Sequence, residues 1–289
     1  MPSPRHWPRR IPTRCTPRAS PAHRGVHLDA LQGSSMNHTL PAVEALTVTA
    51  TYGPVTALDH ASMTVDPGVI HAIVGPNGSG KSTLLKALMG QVTVTEGTVV
   101  FRGRPLAKMR QDIAYMPQVA GVDWNFPARV TDVVLMGTYG RLGWLRRPGV
   151  KEKTIARDSL AAVGLTDLAQ RHISALSGGQ KQRVFVARLL AAQPTIALMD
   201  EPFAGVDVHS ERIIRDALTT LTASGTTVLL VHHDLTSVSK FCHTATLLSR
   251  GHVVASGPVG DVVTVDNITH AYALGQGALT GGVYEELAL

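Results

Sequence analysis

The sequence predicts an α/β protein built on a mostly parallel sheet, and three observations carry that prediction. Apolar segments at residues 195–199 and 226–231 have the length and composition of strands buried on both faces. Each follows a stretch with helical spacing, 180–192 and 210–221. A further strand at 69–74 runs into a glycine-rich turn and then a helix-forming segment at 83–89. Strands alternating with helices in this way pack as a sheet covered on both sides.

The elements can be justified in chain order. Residues 1–35 hold six of the 17 prolines and show neither helical nor strand periodicity, so they read as a disordered, proline-rich basic tail. They also hold six arginines against one acid, Asp29, and so carry +5 of the formal charge of +6; the remaining 254 residues carry only +1. A proline about every four residues forbids the amphipathic helix of an organellar targeting peptide. Arg9-Arg10 is followed by no apolar stretch of the kind a twin-arginine export signal has. Met36 offers an alternative start, with the tail an over-extended reading frame.

From Val43 onward, short segments rich in Val, Thr and Ile and bounded by Gly and Pro predict strands at 45–51, 61–65, 69–74 and 97–101. Residues 130–163 have helical spacing, broken by a turn-prone stretch at 140–149. The last 25 residues contain several glycines and no firm periodicity. Two cysteines, Cys15 and Cys242, supply neither a disulfide framework nor a cysteine-rich zinc site, which fits a reducing compartment. No uninterrupted apolar run exceeds four residues, whereas a membrane-spanning helix needs about 20, so the chain is not expected to cross a bilayer unaided.

The glycine-rich turn, Gly75-Pro76-Asn77-Gly78-Ser79-Gly80-Lys81-Ser82, has the spacing of a phosphate loop. Its glycines let backbone N–H groups converge on phosphate oxygens, and the following helix adds the positive end of its dipole. Thr83 continues the loop into that helix. Lys81 is expected on the β and γ phosphates, and the Ser82 hydroxyl on Mg²⁺. The strand Ile196-Ala197-Leu198-Met199 ends in Asp200-Glu201. Asp200 suits the Mg²⁺ shell, and Glu201 stands where a hydrolytic water would have to be oriented and polarised.

Leu176-Ser177-Gly178-Gly179-Gln180 reads locally as a helix start, with Ser177 as N-cap and Gln180 closing a capping box. A pair of glycines after a cap is more than a helix needs, since glycine costs up to about 1 kcal/mol per helical position relative to alanine. The glycines leave room for a ligand to approach bare N–H groups, which makes a second anion site.

With that segment, residues 44–265 resemble the ATP-binding cassette ATPases. The resemblance implies a P-loop NTPase core with an antiparallel β-subdomain and an inserted helical subdomain at about 119–175, followed by a C-terminal tail at 266–289. It also implies an ATP-sandwich dimer in which Ser177, Gly178, Gly179 and Gln180 act on nucleotide held by the partner copy. Tyr52 matches the aromatic residue that stacks on adenine, Gln118 the glutamine that senses Mg²⁺ and the attacking water, Asp207 the aspartate at the dimer interface, and His233 the histidine that contacts the γ-phosphate. His232 matches no catalytic position. Adjacent histidines leaving a strand point to opposite faces and are poorly placed to share one metal ion.

Within the helical subdomain, Val122-Asp123-Trp124-Asn125-Phe126-Pro127 and Asp132-Val133-Val134-Leu135-Met136-Gly137 look like the manganese, zinc and iron import branch. Phe203-Ala204-Gly205-Val206-Asp207 and His232-His233-Asp234 are similar to it as well. The implied protein is an ATPase, with ATP and Mg²⁺, at the cytoplasmic face of the membrane. It drives a separate integral permease and, through it, an extracytoplasmic solute-binding protein. Importers of other cargo, heme or siderophore, are the alternative. A soluble cassette that remodels nucleic acid or ribosomes is disfavoured, because the body carries only +1 and has no long coiled-coil insertion.

Overall fold

The computed structural model describes residues 40–118, 127–143 and 146–275. The arginine-rich tail with Met36, residues 121–126 of the Asp-Trp motif, Trp144 and residues 276–289 lie outside the described residues. The chain opens with a hairpin, β1 (Val43–Tyr52) and β2 (Val55–Val65), then β3 (Ile70–Val74), α1 (Lys81–Leu88), β4 (Thr93–Phe101), α2 (Leu106–Met109) and β5 (Ile113–Met116). A helical stretch follows: α3 (Val130–Leu135), α4 (Tyr139–Leu142) and α5 (Val150–Ala162). The chain continues through α6 (Gly178–Ala191), β6 (Ile196–Met199), α7 (Val208–Ala223), β7 (Thr227–Val231) and α8 (Leu235–Phe241). It ends with β8 (Thr244–Ser249), β9 (His252–Pro258), α9 (Val259–Val262) and α10 (Val265–Gly275).

Two sheets result. The larger has strand order β5-β6-β7-β3-β8-β9, parallel throughout except for the antiparallel β8–β9 hairpin at its edge. The smaller is antiparallel, in the order β2-β1-β4. Successive strand residues face opposite cores. Ala197, Met199, Val228 and Leu230 pack with α5, α6 and α7 on one side, whereas Ile196, Leu198, Leu229 and Val231 pack with α1 and the small sheet on the other. All residues of β3, β6 and β7 are buried, so these strands read as mostly apolar, with His71 inside β3 and Thr227 at the start of β7 as the buried polar exceptions.

The structure extends or adds to several predicted elements. The strand expected at 97–101 begins at Thr93, because a bulge carries it through Gly97, where a Cβ would lie 2.3 Å from the Thr47 carbonyl. Helical structure enters the 140–149 turn as far as Leu142. At the start of the C-terminal tail expected from residue 266, α10 spans Val265–Gly275 and puts Ile268 and Ala271 into the core. Its apolar positions, Ile268, Ala271 and Tyr272, do keep helical spacing, but over a span too short to stand out beside the glycines. Among the described residues no helix is long and apolar enough to cross a membrane.

Candidate active site

The loop between β3 and α1 surrounds a cavity of about 540 Å³ lined by residues 77–83, Val55, Thr56, Ala57, Glu201, Arg250 and Gly251. Gly75 begins the loop at φ 143°, and a Cβ there would fall 2.1 Å from the Leu248 carbonyl, so only glycine fits. Lys81 is buried, and its Nζ donates to the carbonyls of Gly75 and Pro76 at 2.9 Å each, drawing the loop around the ammonium. Burial lowers the Lys81 pKa, and the carboxylates of Glu201 and Asp200 act against that shift. Gly80 caps α1 without a side-chain bond. The first N–H groups of that helix, which lack intrahelical acceptors as at any helix start, thus get no side-chain acceptor from the cap and are of the kind that can receive an anion.

The end of β6 delivers the acids. Ser82 Oγ donates to Asp200 Oδ1 at 3.1 Å, and Gln118 Nε2 donates to Glu201 Oε2 at 3.0 Å. Burial raises the Asp200 pKa, the Ser82 hydrogen bond lowers it, and Glu201 raises it further. Two hard oxygen donors at this distance, one of them a carboxylate, have the chemistry Mg²⁺ takes beside nucleotide phosphates. Glu201 holds a left-handed backbone, φ 51°, uncommon for a residue with a side chain and of the kind found at functional sites.

Sequence reasoning missed the residue that holds this bend. Gln182, buried on α6, donates through Nε2 to the carbonyls of Glu201 at 3.2 Å and Pro202 at 2.7 Å. Its only sequence signal is a polar residue on the inward face of a helix.

Tyr52 stands half-exposed at the end of β1, paired with Val55 of the cavity wall. His233 is exposed just beyond β7. Its neighbour His232 is buried with its ring 5.1 Å from that of Phe203, and burial lowers its pKa to about 4. Nδ1 of His232 accepts from the Asp234 N–H at 3.0 Å, so the neutral ring carries its proton on Nε2, which is buried without a partner among the described residues.

Ser177, Gly178, Gly179, Gln180 and Asp207 form a second cluster, and none of them lines the P-loop cavity. Ser177 Oγ accepts from the Gln180 N–H, and Gln180 Oε1 accepts from the Ser177 N–H, closing the capping box. Asp207 caps α7 by accepting from the Ser210 N–H at 2.8 Å, which lowers its pKa. The two glycines have different reasons. A Cβ on Gly179 would meet Ser210 Oγ at 2.9 Å and Asp207 Oδ2 at 3.1 Å, so its lack of a side chain serves packing of α6 on α7. Gly178 is exposed, with nothing closer than 3.8 Å to such an atom, and keeps its N–H surface open.

The phosphate loop after β3 and the carboxylate pair after β6, with β7 between the two strands, are joined by the Ser82–Asp200 hydrogen bond, and the glycine-opened helix start stands apart from their cavity. The family model described as ABC transporter matches residues 58–204. The chain belongs to the ABC transporter family. This ABC chain is 45% identical over 239 residues to the zinc transport system ATP-binding protein TroB of Treponema pallidum, covering 83% of this chain and 90% of that one. It is 44% identical over 236 residues to the manganese transport system ATP-binding protein MntB of Listeria monocytogenes, covering 82% and 98%. The chelated iron transport system membrane protein YfeB of Yersinia pestis is 46% identical over 228 residues, covering 78% and 76%. Among solved structures, the ADP conformation of MJ1267, an ATP-binding cassette of an ABC transporter, superposes with a TM-score of 0.71 at 26% identity, covering 81% and 99%. The fold is accordingly that of an ABC ATPase domain.

Proposed function

We propose that this ABC subunit hydrolyses ATP to drive import of divalent metal ions (manganese, zinc or iron) through a separate membrane permease. The observation that carries the ATPase reading is the paired contact at the end of β6: Ser82 to Asp200 and Gln118 to Glu201, both beside a P-loop lysine. In this reading Tyr52 stacks on adenine, residues 75–83 and the N-terminus of α1 cradle the phosphates, and Lys81 offsets charge on the β and γ groups. Ser82 and Asp200, with Gln118 nearby, would hold Mg²⁺, which supplies charge neutralisation across the phosphate oxygens. The Glu201 carboxylate orients the attacking water and accepts its proton, with the Gln118 amide fixing the carboxylate plane. His233 contacts the γ-phosphate.

Ser177, Gly178, Gly179, Gln180 and Asp207 lie apart from the chain's own P-loop cavity, which supports their acting on nucleotide held by a second copy. The active unit is then a dimer closed over two ATP molecules.

The metal reading rests on the relatives, which are named for zinc, manganese and chelated iron transport. The permease reading has a surface to work with. A groove of about 180 Å³ between β5, α4 and α6 is lined by Arg110, Arg141, Arg188, Met136 and Phe185, and by no carboxylate. The Arg188 guanidinium lies 5.8 Å above the Phe185 ring, and burial lowers its pKa. A permease segment with an acidic residue and an apolar flank would complement it, which supports a peripheral position at the cytoplasmic face of the membrane.

The test is a complex of this chain with its permease, purified and placed in liposomes with the solute-binding protein. ATPase activity is expected to rise severalfold when that protein is loaded with manganese, zinc or iron. Stimulation only by a non-metal cargo such as heme or a siderophore would overturn the metal reading.

A further inference from the structure

The β8–β9 turn forms part of one wall of the P-loop cavity and brings Arg250 to it. Ser249 and His252 pair across a two-residue connection, Arg250 at φ 49° and Gly251 at φ 85°, the two positive φ values of a type I′ hairpin. The turn is held on three sides. Gly251 N–H donates to the Ser79 carbonyl of the phosphate loop at 2.9 Å, and its own carbonyl accepts from the Asp59 N–H at 3.0 Å. Ser249 Oγ donates to the Ala271 carbonyl of α10 at 2.7 Å. A Cβ on Gly251 would lie 3.0 Å from the Ala57 carbonyl, so the backbone sits tight against β2.

Arg250 is thereby presented on a rigid support beside Val55, Thr56 and Ala57, the wall that follows Tyr52. It is exposed and lines the cavity, and among the described residues its side chain makes no hydrogen bond or ion pair. Strain alone does not distinguish it, because Arg102-Gly103 adopts the same positive φ pair at the Phe101–Arg104 turn, which does not line the cavity. What distinguishes Arg250 is its place in the cavity lining, on a turn tied to the phosphate loop by the hydrogen bond from Gly251 N–H to the Ser79 carbonyl.

We propose that Arg250 is a further nucleotide-binding residue, contacting the ribose and α-phosphate end of the bound nucleoside triphosphate. The proposal rests on the reading of this cavity as the ATP site. A guanidinium donates in a planar fork, which suits a phosphate with a neighbouring hydroxyl. Because the contact is made equally to ATP and ADP, it contributes to binding and leaves the hydrolytic step alone.

The test is titration of MgADP and a non-hydrolysable MgATP analogue into the full chain, followed by steady-state ATPase kinetics. Arg250→Ala should weaken both nucleotides about fivefold to twentyfold and raise KM by a similar factor, with kcat within about twofold of the parent. Arg250→Lys should recover part of the affinity. Arg102→Ala, which removes the same charge from the same kind of turn, should bind as the parent does. Unchanged affinity in Arg250→Ala, a loss confined to the triphosphate, or an equal loss in Arg102→Ala would overturn the assignment. Failure of the parent itself to bind either nucleotide would instead overturn the ATP reading of the cavity.

Discussion

His71 shows how far a single buried side chain can set the chain's response to pH. It is fully buried on β3, with Nδ1 2.8 Å from Thr244 Oγ1 and Nε2 2.9 Å from Thr246 Oγ1. Burial lowers its pKa from 6.5 to about 3, and burial likewise lowers His232 to about 4. The folded state refuses protons that these histidines accept in the unfolded chain below pH 6.5. Stability is therefore intact above pH 6.5 and is lost as pH falls toward the folded values, by at most about 5 kcal/mol for His71. The urea midpoint should fall steadily from pH 6.5 to 4.5, and His71→Gln should flatten that slope even if it starts lower. An unchanged slope would show that His71 titrates normally. The residue scale was only partly legible in the sequence. Lys81, Ser82, Asp200 and Glu201 announce themselves because phosphate chemistry demands those groups at those spacings. Gln182 and Arg250 do not, since each reaches the site through a contact between segments distant in sequence.

The start of α6 combines a closed cap with an open backbone at the scale of an element. Ser177 and Gln180 close the capping box, while Gly178 leaves N–H groups open to the outside. If those groups serve the partner's nucleotide, Ser177→Arg blocks the approach without touching the same chain's P-loop. ATPase activity should drop by two orders of magnitude or more, while MgADP affinity stays within about twofold of the parent. Loss of binding in the same chain would argue against action across a dimer. Elements with a strong local pattern, such as β3, β6, β7, α6 and α7, were legible from apolar runs, helical spacing and a capping box. The edge hairpin β8–β9 and helix α10 were not. β9 is only partly buried, and α10 is short and followed by glycines, so packing rather than propensity sustains them.

At the scale of the whole molecule, the chain holds its P-loop cavity in one place and the Ser177–Gln180 cluster in another, the arrangement that the proposed dimer would bring together. If Glu201 is the carboxylate that polarises water, Glu201→Gln removes that function and keeps the volume, so ATP should bind and persist. Light scattering should then show an ATP-dependent dimer that MgADP does not support, and turnover should fall at least a hundredfold. A variant hydrolysing at the parent rate would remove Glu201 from its role. The formal charge of +6 meant little at this scale, because most of it belongs to the first 35 residues. By itself the sequence determined the fold class, the phosphate loop and the acids, since each depends on local spacing or on the period of burial. Only the tertiary structure decided which distant groups share a wall: Gln118 on Glu201, Gln182 beneath the bend, Gly179 against Asp207, and Arg250 beside Ser79. Those contacts join segments tens to nearly two hundred residues apart, and no local periodicity encodes a hydrogen bond made across a sheet.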